Sequence, residues 1–286
     1  MGNRIKGSTS LSGLLGYPIK HSKSPMIHNT AFEALNLDHV YLAFEVEDGH
    51  LAEALAAMKA LNAIGFNVTM PHKHKVVQLL DEVSEEVKII GSVNTVKNEK
   101  GKLIGYNTDG MGFIKALQED GVDFRDKKIV IAGAGGAARA IAVQLILEGA
   151  GEVVMVNRTL STAEEIVNTI KSSIPSCKAR ALEMNEAVIK AEAADAAVLV
   201  NCTSLGMKET MDQSIVATPD VLHSGLFVAD IIYDPPKTRL MSIAEEAGCR
   251  TMNGLGMLIW QGAIAFKIWT GQDMPVDLIK KEIFGE

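Results

Sequence analysis

The chain has 286 residues, of which 47% are hydrophobic and 22% are charged, and its formal net charge is −7. A chain of this length forms one large domain or two modest ones, and we expect two. No apolar run approaches the roughly 20 residues that a membrane-spanning helix needs. The acidic balance argues against a nucleic-acid partner, because binding to a phosphate backbone requires clustered lysines and arginines. We therefore expect small-molecule ligands.

The cysteines and the first residues bear on cellular location. Cys177, Cys202 and Cys249 are far apart and odd in number, which favours reduced thiols over a disulfide or metal framework. The first 18 residues contain no apolar stretch of the kind that a secretory signal needs. We expect a cytoplasmic protein that holds no metal.

The first 110 residues alternate short apolar runs with helical patterns. Such alternation predicts an α/β unit with a parallel sheet. Ser24 followed by Pro25 indicates a helix start, and Pro71 indicates another. The predicted strands are LSGLLG (11–16), VYLAFEV (40–46) and AIGFNVTM (63–70), and the predicted helices are SPMIHNTAFEAL (24–35) and HLAEALAAMKAL (50–61).

A second unit begins near the charged, turn-rich segment 118–128. Strands and helices follow one another there in βαβ order, which predicts a doubly wound sheet of the Rossmann type. The final stretch, 254–284, reads as two amphipathic helices with no strand left to pair, and we expect them to pack back on the first unit. The expected domains are therefore 1–110 with 255–286, and 111–254. The predicted strands are IVIA (129–132), EVVMV (152–156), CKARAL (177–182), AAVLVN (196–201) and LFVADII (226–232).

Residues 133–138 form the pattern G-x-G-x-x-A between a strand and a helix. In this setting the first glycine makes a tight turn, the second lets the backbone approach a pyrophosphate, and the small third residue allows close helix packing. The helix N-terminus attracts phosphates through its free N–H groups and its dipole. A tight turn without a ligand is the simpler alternative, but the context favours a dinucleotide site. Its expected contacts are Gly133, Ala134, Gly135, Gly136 and Ala137.

The strand EVVMV ends where NAD-binding proteins place an acidic residue for the ribose 2′-hydroxyl. This chain has Asn157, Arg158 and Thr159 there. A carboxylate would repel a 2′-phosphate, whereas an arginine can form charge-assisted hydrogen bonds with it. These residues therefore favour NADP over NAD, against the alternative of a solvated arginine at a helix start.

Five motifs of this chain resemble those of the shikimate dehydrogenase family. In this chain the five motifs are HSKSP (21–25), NVTMPHK (67–73), NTDG (107–110), GAGGAA (133–138) and GLGMLIWQG (254–262). Their order and spacing cover nearly the whole chain. The resemblance implies reversible, NADPH-dependent reduction of 3-dehydroshikimate to shikimate by a two-domain enzyme, a step of the chorismate pathway in aromatic amino acid biosynthesis.

The resemblance also implies roles for single residues. Lys73 and Asp109 would be the catalytic pair. The substrate and the nicotinamide would be bound by residues from several motifs. These are Ser22 and Ser24 for the substrate carboxylate, Thr69, Asn94 and Gln261 for the ring hydroxyls, Tyr233 for the substrate, and Ile231 and Gly254 for the nicotinamide.

Hydride transfer to a ketone builds negative charge on its oxygen, so an acid must deliver a proton as that charge grows. A lysine can do this, and we expect Lys73 and Asp109 to titrate as a coupled pair. Two alternatives stay open: Lys73 could lie on a solvated helix face, and Asp109 could cap the helix that follows it. His72 and His74 are poorly spaced for a metal on a helix, and we expect both to face solvent.

Tyr41 in VYLAFEV and Lys208 in LGMK resemble a different branch, the quinate/shikimate dehydrogenases, whose members use both acids and often NAD. Residues 157–159 resemble the NADP-dependent branch instead, so the breadth of substrate stays open. Two rival functions also stay open: a different NADP-linked oxidoreductase and a non-catalytic NADPH-binding sensor. A homodimer is compatible with the sequence, which does not determine the oligomeric state.

Overall fold

The computed structural model describes residues 5–285. They divide into two compact units, one made of the residues up to Thr108 together with those from Ile259 onward, and the other of Asp109–Leu258. Each unit is built around its own sheet. The α/β fold class expected from the sequence is confirmed.

Among the described residues, the first unit forms a six-stranded sheet with the order β2-β1-β3-β5-β6-β4. Its elements are β1 (Ser10–Gly16), α1 (Ser24–Ala34), β2 (His39–Glu45), α2 (Leu51–Ala60), β3 (Gly65–Val68), a 3-10 helix (Lys75–Leu79), β4 (Glu82–Val83), α3 (Glu85–Ile90), β5 (Thr95–Glu99) and β6 (Lys102–Tyr106). Strand β1 pairs in parallel with both β2 and β3. Its last five residues are buried, as expected of a parallel strand covered on both faces.

The first sheet also contains a hairpin that the apolar pattern did not predict. Strand β5 pairs antiparallel with both β3 and β6. Lys100 and Gly101 connect β5 to β6, and both have positive φ, 53° and 92°. Two central residues of positive φ form the turn that suits a tight antiparallel hairpin. The hairpin reverses β5, so β5 begins at the edge of the sheet where β1 and β3 end.

Among the described residues, the second unit forms a six-stranded sheet with the order β12-β11-β10-β7-β8-β9. All of its strand pairs are parallel. Its elements are α4 (Asp109–Glu119), β7 (Lys128–Ala132), α5 (Gly136–Leu147), β8 (Glu152–Asn157), α6 (Leu160–Ser173), β9 (Ala179–Glu183), α7 (Glu186–Ala193), β10 (Val198–Asn201), β11 (Phe227–Asp230), α8 (Arg239–Glu246) and β12 (Arg250–Met252).

The strand order of the second sheet shows where a ligand can bind. Counted within this unit, the order is 3-2-1-4-5-6, that of a doubly wound dinucleotide-binding sheet. The chain reverses direction across the sheet between β7 and β10, and ligands of such sheets bind beyond the carboxyl ends of the strands at this point. Val130, Val154, Leu199 and Val228 fill the centre of the sheet and are fully buried.

The opposite, amino-terminal edge of the second sheet carries a network of ion pairs. Lys128 Nζ, at the start of β7, lies 2.8 Å from Glu192 Oε2 and 2.5 Å from Asp195 Oδ1. Arg180 also donates to Glu192, and these bonds, with those from Lys128, lower the pKa of Glu192 to about 2. The network therefore joins β7 to β9 and to α7 at the edge remote from the expected ligand.

The chain ends in α9 (Leu255–Thr270) and α10 (Val276–Ile279), which continues as a π-helical turn (Lys280–Phe284). Trp269 of α9 donates its indole N–H to Val96 O at 3.0 Å. A Cβ on Gly65 would lie 2.2 Å from the Trp269 ring, so the strand needs glycine at this contact. The C-terminal part of α9 thus packs on the first sheet.

None of the helices among the described residues combines the length and the apolar character that crossing a bilayer requires. The same residues contain no group of three or more His, Cys, Asp or Glu side chains arranged to hold a metal ion.

Candidate active site

The polar motifs of the first unit meet at one edge of its sheet. Thr69 directly follows β3, and residues 107–108 follow β6. Ser22 lies in the connection after β1, and Ser24 begins α1. Asn94 precedes its strand instead of following it, but β5 is antiparallel to its neighbours, so Asn94 lies at the same edge. The expected gathering of these motifs therefore depends in part on the hairpin.

A chain of buried hydrogen bonds joins this edge. The Tyr41 hydroxyl donates to Asn67 Oδ1 (2.7 Å), and Asn67 Nδ2 donates to Asn94 O and Thr95 Oγ1 (both 3.0 Å). Asn94 Nδ2 in turn donates to Thr108 Oγ1 (2.9 Å), and Asn94 Oδ1 accepts from the Thr108 amide (2.9 Å). All five residues are buried. The Asn94 amide is thus held in one orientation, and the backbone just before Asp109 is tied to it.

Ser22 and Ser24 lie at the start of α1. Ser24 is the first helical residue, and its amide donates to Ser22 Oγ (3.2 Å). Burial raises the pKa of the Tyr41 phenol well above its usual range, and a hydrogen bond with Ser24 opposes that effect. The phenol is therefore neutral, and the two serine hydroxyls lie at the positive end of the α1 dipole, a setting that suits an anion.

Lys73 lies in a turn and not on a helix. The helix predicted from Pro71 does not begin there, and the 3-10 helix starts at Lys75 instead. The turn is held at three points: Val93 N donates to Lys73 O (2.8 Å), His72 Nε2 contacts Val46 O (2.7 Å), and His74 Nδ1 contacts Gly91 O (2.9 Å). The Lys73 side chain is half-buried on this fixed backbone.

The prediction that both histidines face solvent is wrong for His72, which is fully buried, and right for His74, which is exposed. His72 closes the turn by donating to the Val46 carbonyl, and spacing along the sequence could not reveal this partner. Asp109 is buried at the first position of α4, where a carboxylate is favoured by the helix dipole.

His28, which the sequence did not single out, connects α1 to β2 and α9. Its ring stacks on Tyr41 (4.4 Å between centroids, 14° between planes) and lies 5.2 Å from the Trp269 ring. A Cβ on Gly262, the residue after Gln261, would lie 3.7 Å from His28 Nε2. His28 therefore packs against the part of α9 that carries Gln261, which is itself half-buried.

Protonation of His28 should destabilise the protein. Burial lowers the pKa of His28 to about 3, so between about pH 6.5 and pH 3 the unfolded chain binds a proton that the folded chain does not. Stability is therefore lost as pH falls through this window, by about 5 kcal/mol in all. We expect His28→Phe, which keeps an aromatic ring on Tyr41, to reduce the slope of unfolding free energy against pH by about 1.4 kcal/mol per unit near pH 5.

Urea unfolding at several pH values measures this slope. His50→Gln is the matched control, because His50 is exposed and paired only with Glu53 at the surface. An unchanged slope in the His28 variant would show that His28 is protonated in the folded protein.

In the second unit, the glycine turn fits a dinucleotide. Gly133 follows β7 with φ +110°, and a Cβ there would lie 2.8 Å from Cys202 O, so the turn requires glycine. Gly135 is exposed and has nothing within 4 Å of an added Cβ. Helix α5 begins at Gly136 with no acidic residue in its first turn. Its free N–H groups therefore face open space that suits a pyrophosphate, with Ala134 and Ala137 half-buried beside it.

The end of β8 fits a phosphate group. Asn157 Nδ2 donates to Thr159 O (2.9 Å), which shapes the turn into α6. Arg158 is exposed, and none of the ion pairs found within residues 5–285 involves it. The first turn of α6 also contains no acidic residue. The helix dipole disfavours a cation at the start of α6, so Arg158 is well placed to bind an external anion there.

Ile231 and Gly254, which were both expected beside the nicotinamide, lie in contact. A Cβ on Gly254 would lie 2.0 Å from Ile231 O, and Gly254 N donates to Ile232 O (2.9 Å). Tyr233 is 37% exposed and so does not lie in the core. The three residues thus follow the carboxyl end of β11 or β12, at the edge that carries the glycine turn.

Comparison with known proteins agrees with this arrangement. The chain matches the models of the shikimate dehydrogenase substrate binding domain (residues 14–96), of shikimate / quinate 5-dehydrogenase (115–221) and of the shikimate 5′-dehydrogenase C-terminal domain (254–284). It is 53% identical, over 99% of each chain, to the shikimate dehydrogenase (NADP(+)) of Alkaliphilus metalliredigens. The chain belongs to the shikimate dehydrogenase family.

Solved structures of this family are similar to the whole chain. The shikimate 5-dehydrogenase of Listeria monocytogenes, in complex with shikimate and NAD, is 45% identical with a TM-score of 0.96 and 99% of each chain covered. The quinate dehydrogenase of Corynebacterium glutamicum, in complex with NAD, is 29% identical with a TM-score of 0.88, covering 96% of this chain and 98% of its own. Shikimate dehydrogenases and a quinate dehydrogenase therefore share this fold.

Proposed function

We propose that this protein is an NADP-dependent shikimate dehydrogenase, which interconverts 3-dehydroshikimate and shikimate in aromatic amino acid biosynthesis. The observation that carries the proposal is its 53% identity, over its full length, to a shikimate dehydrogenase (NADP(+)). We assign the substrate domain to residues 1–110 with 255–286 and the nucleotide domain to 111–254. Both ranges lie close to the two compact units.

The substrate is bound by the first domain in this proposal. Ser22 and Ser24 receive its carboxylate, which the start of α1 favours because the positive end of the helix dipole lies there. The side-chain amide of Asn94 already has a fixed orientation, so it binds a ring hydroxyl with little loss of entropy. Thr69 and Gln261 bind the other ring hydroxyls.

Lys73 and Asp109 are the catalytic pair. NADPH, when bound, supplies hydride to the carbonyl carbon of the substrate. Lys73 delivers a proton to the carbonyl oxygen as negative charge grows there, and in the reverse direction it accepts the hydroxyl proton. The fixed turn around Lys73 supports this role, since a catalytic group must hold its position without reorganising. Asp109 is the acidic member of the pair and accepts a hydrogen bond from the substrate.

The second domain holds the cofactor. The turn and the helix start supply N–H groups to the pyrophosphate, Arg158 with Asn157 and Thr159 binds the 2′-phosphate, and Tyr233 reaches toward the substrate. The residues proposed at the pyrophosphate are Gly133, Ala134, Gly135, Gly136 and Ala137, and those at the nicotinamide are Ile231 and Gly254.

A second candidate, a quinate/shikimate dehydrogenase, is favoured by the similarity to a quinate dehydrogenase that binds NAD. Initial rates of the purified protein with shikimate and with quinate, each with NADP and with NAD, separate the two. We expect the highest kcat/KM with shikimate and NADP. Comparable values for quinate would support the second candidate, and no oxidation of either acid would contradict both and leave a binding function.

We also propose that the enzyme works in the cytoplasm. The three cysteines are free thiols, which is typical of a reducing compartment.

A further inference from the structure

A carboxylate is buried at the ligand-facing edge of the second sheet. Asp230, the last residue of β11, is 0% exposed. Its oxygens accept from Asn201 Nδ2 (3.1 Å to each), from the Ile232 amide (3.1 Å) and from the Thr238 hydroxyl (2.8 Å). All of these partners are donors, so the side chain is satisfied as a carboxylate and offers no place for its own proton.

No cationic side chain within residues 5–285 forms an ion pair with Asp230. Thr238 Oγ1 accepts from Met241 N (3.3 Å), so the hydroxyl proton points at Asp230. Thr238 is also the N-cap of α8, and the positive end of that helix dipole supports the charge. Burial raises the pKa of Asp230, and the three hydrogen-bonding partners oppose that rise. Within the described residues, Asp230 thus carries a net negative charge that only dipoles stabilise.

Asp230 is aligned, across neighbouring strands of the sheet, with the residue that precedes the glycine turn. In the register of the sheet, Asp230 pairs with Asn201, and Asn201 pairs with Ala132, the residue before Gly133. Burial raises the pKa of the Cys202 thiol, and the negative charge of Asp230 raises it further. The field of this carboxylate therefore reaches the residue on which the glycine turn packs.

We propose that Asp230 makes the nucleotide site favour the oxidised cofactor over the reduced one. The nicotinamide ring carries a positive charge when oxidised and none when reduced, so a fixed negative charge in a poorly solvated edge stabilises only the oxidised form. This inference rests on the proposed function, in which Ile231, the neighbour of Asp230, lies beside the nicotinamide. Asp230 acts as an electrostatic and positioning residue and does not touch the reacting atoms.

Calorimetric titration of the purified protein with NADP+ and with NADPH tests the inference. Asp230→Asn keeps an oxygen for the Ile232 amide but removes the charge. We expect its Kd for NADP+ to rise roughly three- to tenfold, with its Kd for NADPH within about twofold of the wild-type value. Equal changes in both constants, or none in either, would overturn the inference.

A further variant distinguishes the charge of Asp230 from that of a remote carboxylate. Asp195→Asn removes a carboxylate from the amino-terminal edge of the same sheet, and it should leave the ratio of the two constants unchanged. A shifted ratio in this variant would count against Asp230 as the source.

A double variant covers the case in which Asp230→Asn does not fold. Asn201→Ala with Asp230→Ala removes the carboxylate together with the side-chain amide that donates to both of its oxygens, and it should show the same change of ratio. Failure of the wild-type protein to bind either nucleotide would contradict the proposed function itself, a result separate from an unchanged ratio in protein that binds both.

Discussion

Replacing Lys73 with alanine should lower kcat for shikimate oxidation by about a hundred- to ten-thousandfold, the usual contribution of a positioned acid or base. The turn should keep its shape, because its bonds come from the Lys73 backbone and from His72 and His74. Shikimate should still bind, since the residues proposed at its carboxylate are untouched. Steady-state kinetics and calorimetric titration with shikimate measure the two effects separately.

Lys75→Ala is the matched control for Lys73→Ala. Lys75 lies two positions later, is exposed, and pairs with Asp48 at the surface. Its loss should change kcat by less than about twofold, because surface ion pairs contribute little. Full turnover by the Lys73 variant would remove Lys73 from the mechanism, and equal losses in both variants would point to damage to the turn.

Replacing Arg158 with alanine should raise KM for NADP by about 10- to 100-fold, the effect of losing charge-assisted hydrogen bonds to a phosphate. KM for NAD should change little, because NAD has no 2′-phosphate. The arginine is exposed and lies at the end of β8, so its removal should not disturb the fold. Initial rates over a range of each nucleotide, at saturating shikimate, give both constants.

Lys208→Ala is the control for the Arg158 prediction. Lys208 is an exposed cation of the same unit, in the 3-10 helix that follows β10, and we expect its loss to leave the NADP to NAD ratio near the wild-type value. Equal rises of KM for both nucleotides in the Arg158 variant would eliminate the 2′-phosphate argument.

Much of the fold follows from local pattern. The apolar runs and glycine turn predicted the elements of the second unit, because buried parallel strands and a strand–turn–helix junction both leave a strong local pattern. The hairpin at Lys100 and Gly101 was not predicted. It depends on two residues of positive φ, and a lysine is an uncommon choice for that conformation.

Motifs also indicated most of the candidate site, but not its supports. Ser24, Thr69 and Asn94 were singled out because the resemblance to the shikimate dehydrogenase family implies roles for them. His28 and Asp230 were passed over, since each lies within an apolar stretch and its importance comes from partners on other elements. Neither residue has a distinctive neighbour in the sequence.

The sequence by itself determined the fold class, the family and the kinds of chemical groups available to the site, because each of these is carried by short-range spacing. Only the tertiary structure decided which polar groups are buried and with whom they bond. Tyr41 forms a hydrogen bond with Asn67, 26 positions away in the sequence, and Asn201 forms one with Asp230, 29 positions away. Such pairs depend on the register of neighbouring strands, and register is settled by the packing of the whole sheet and not by any one segment.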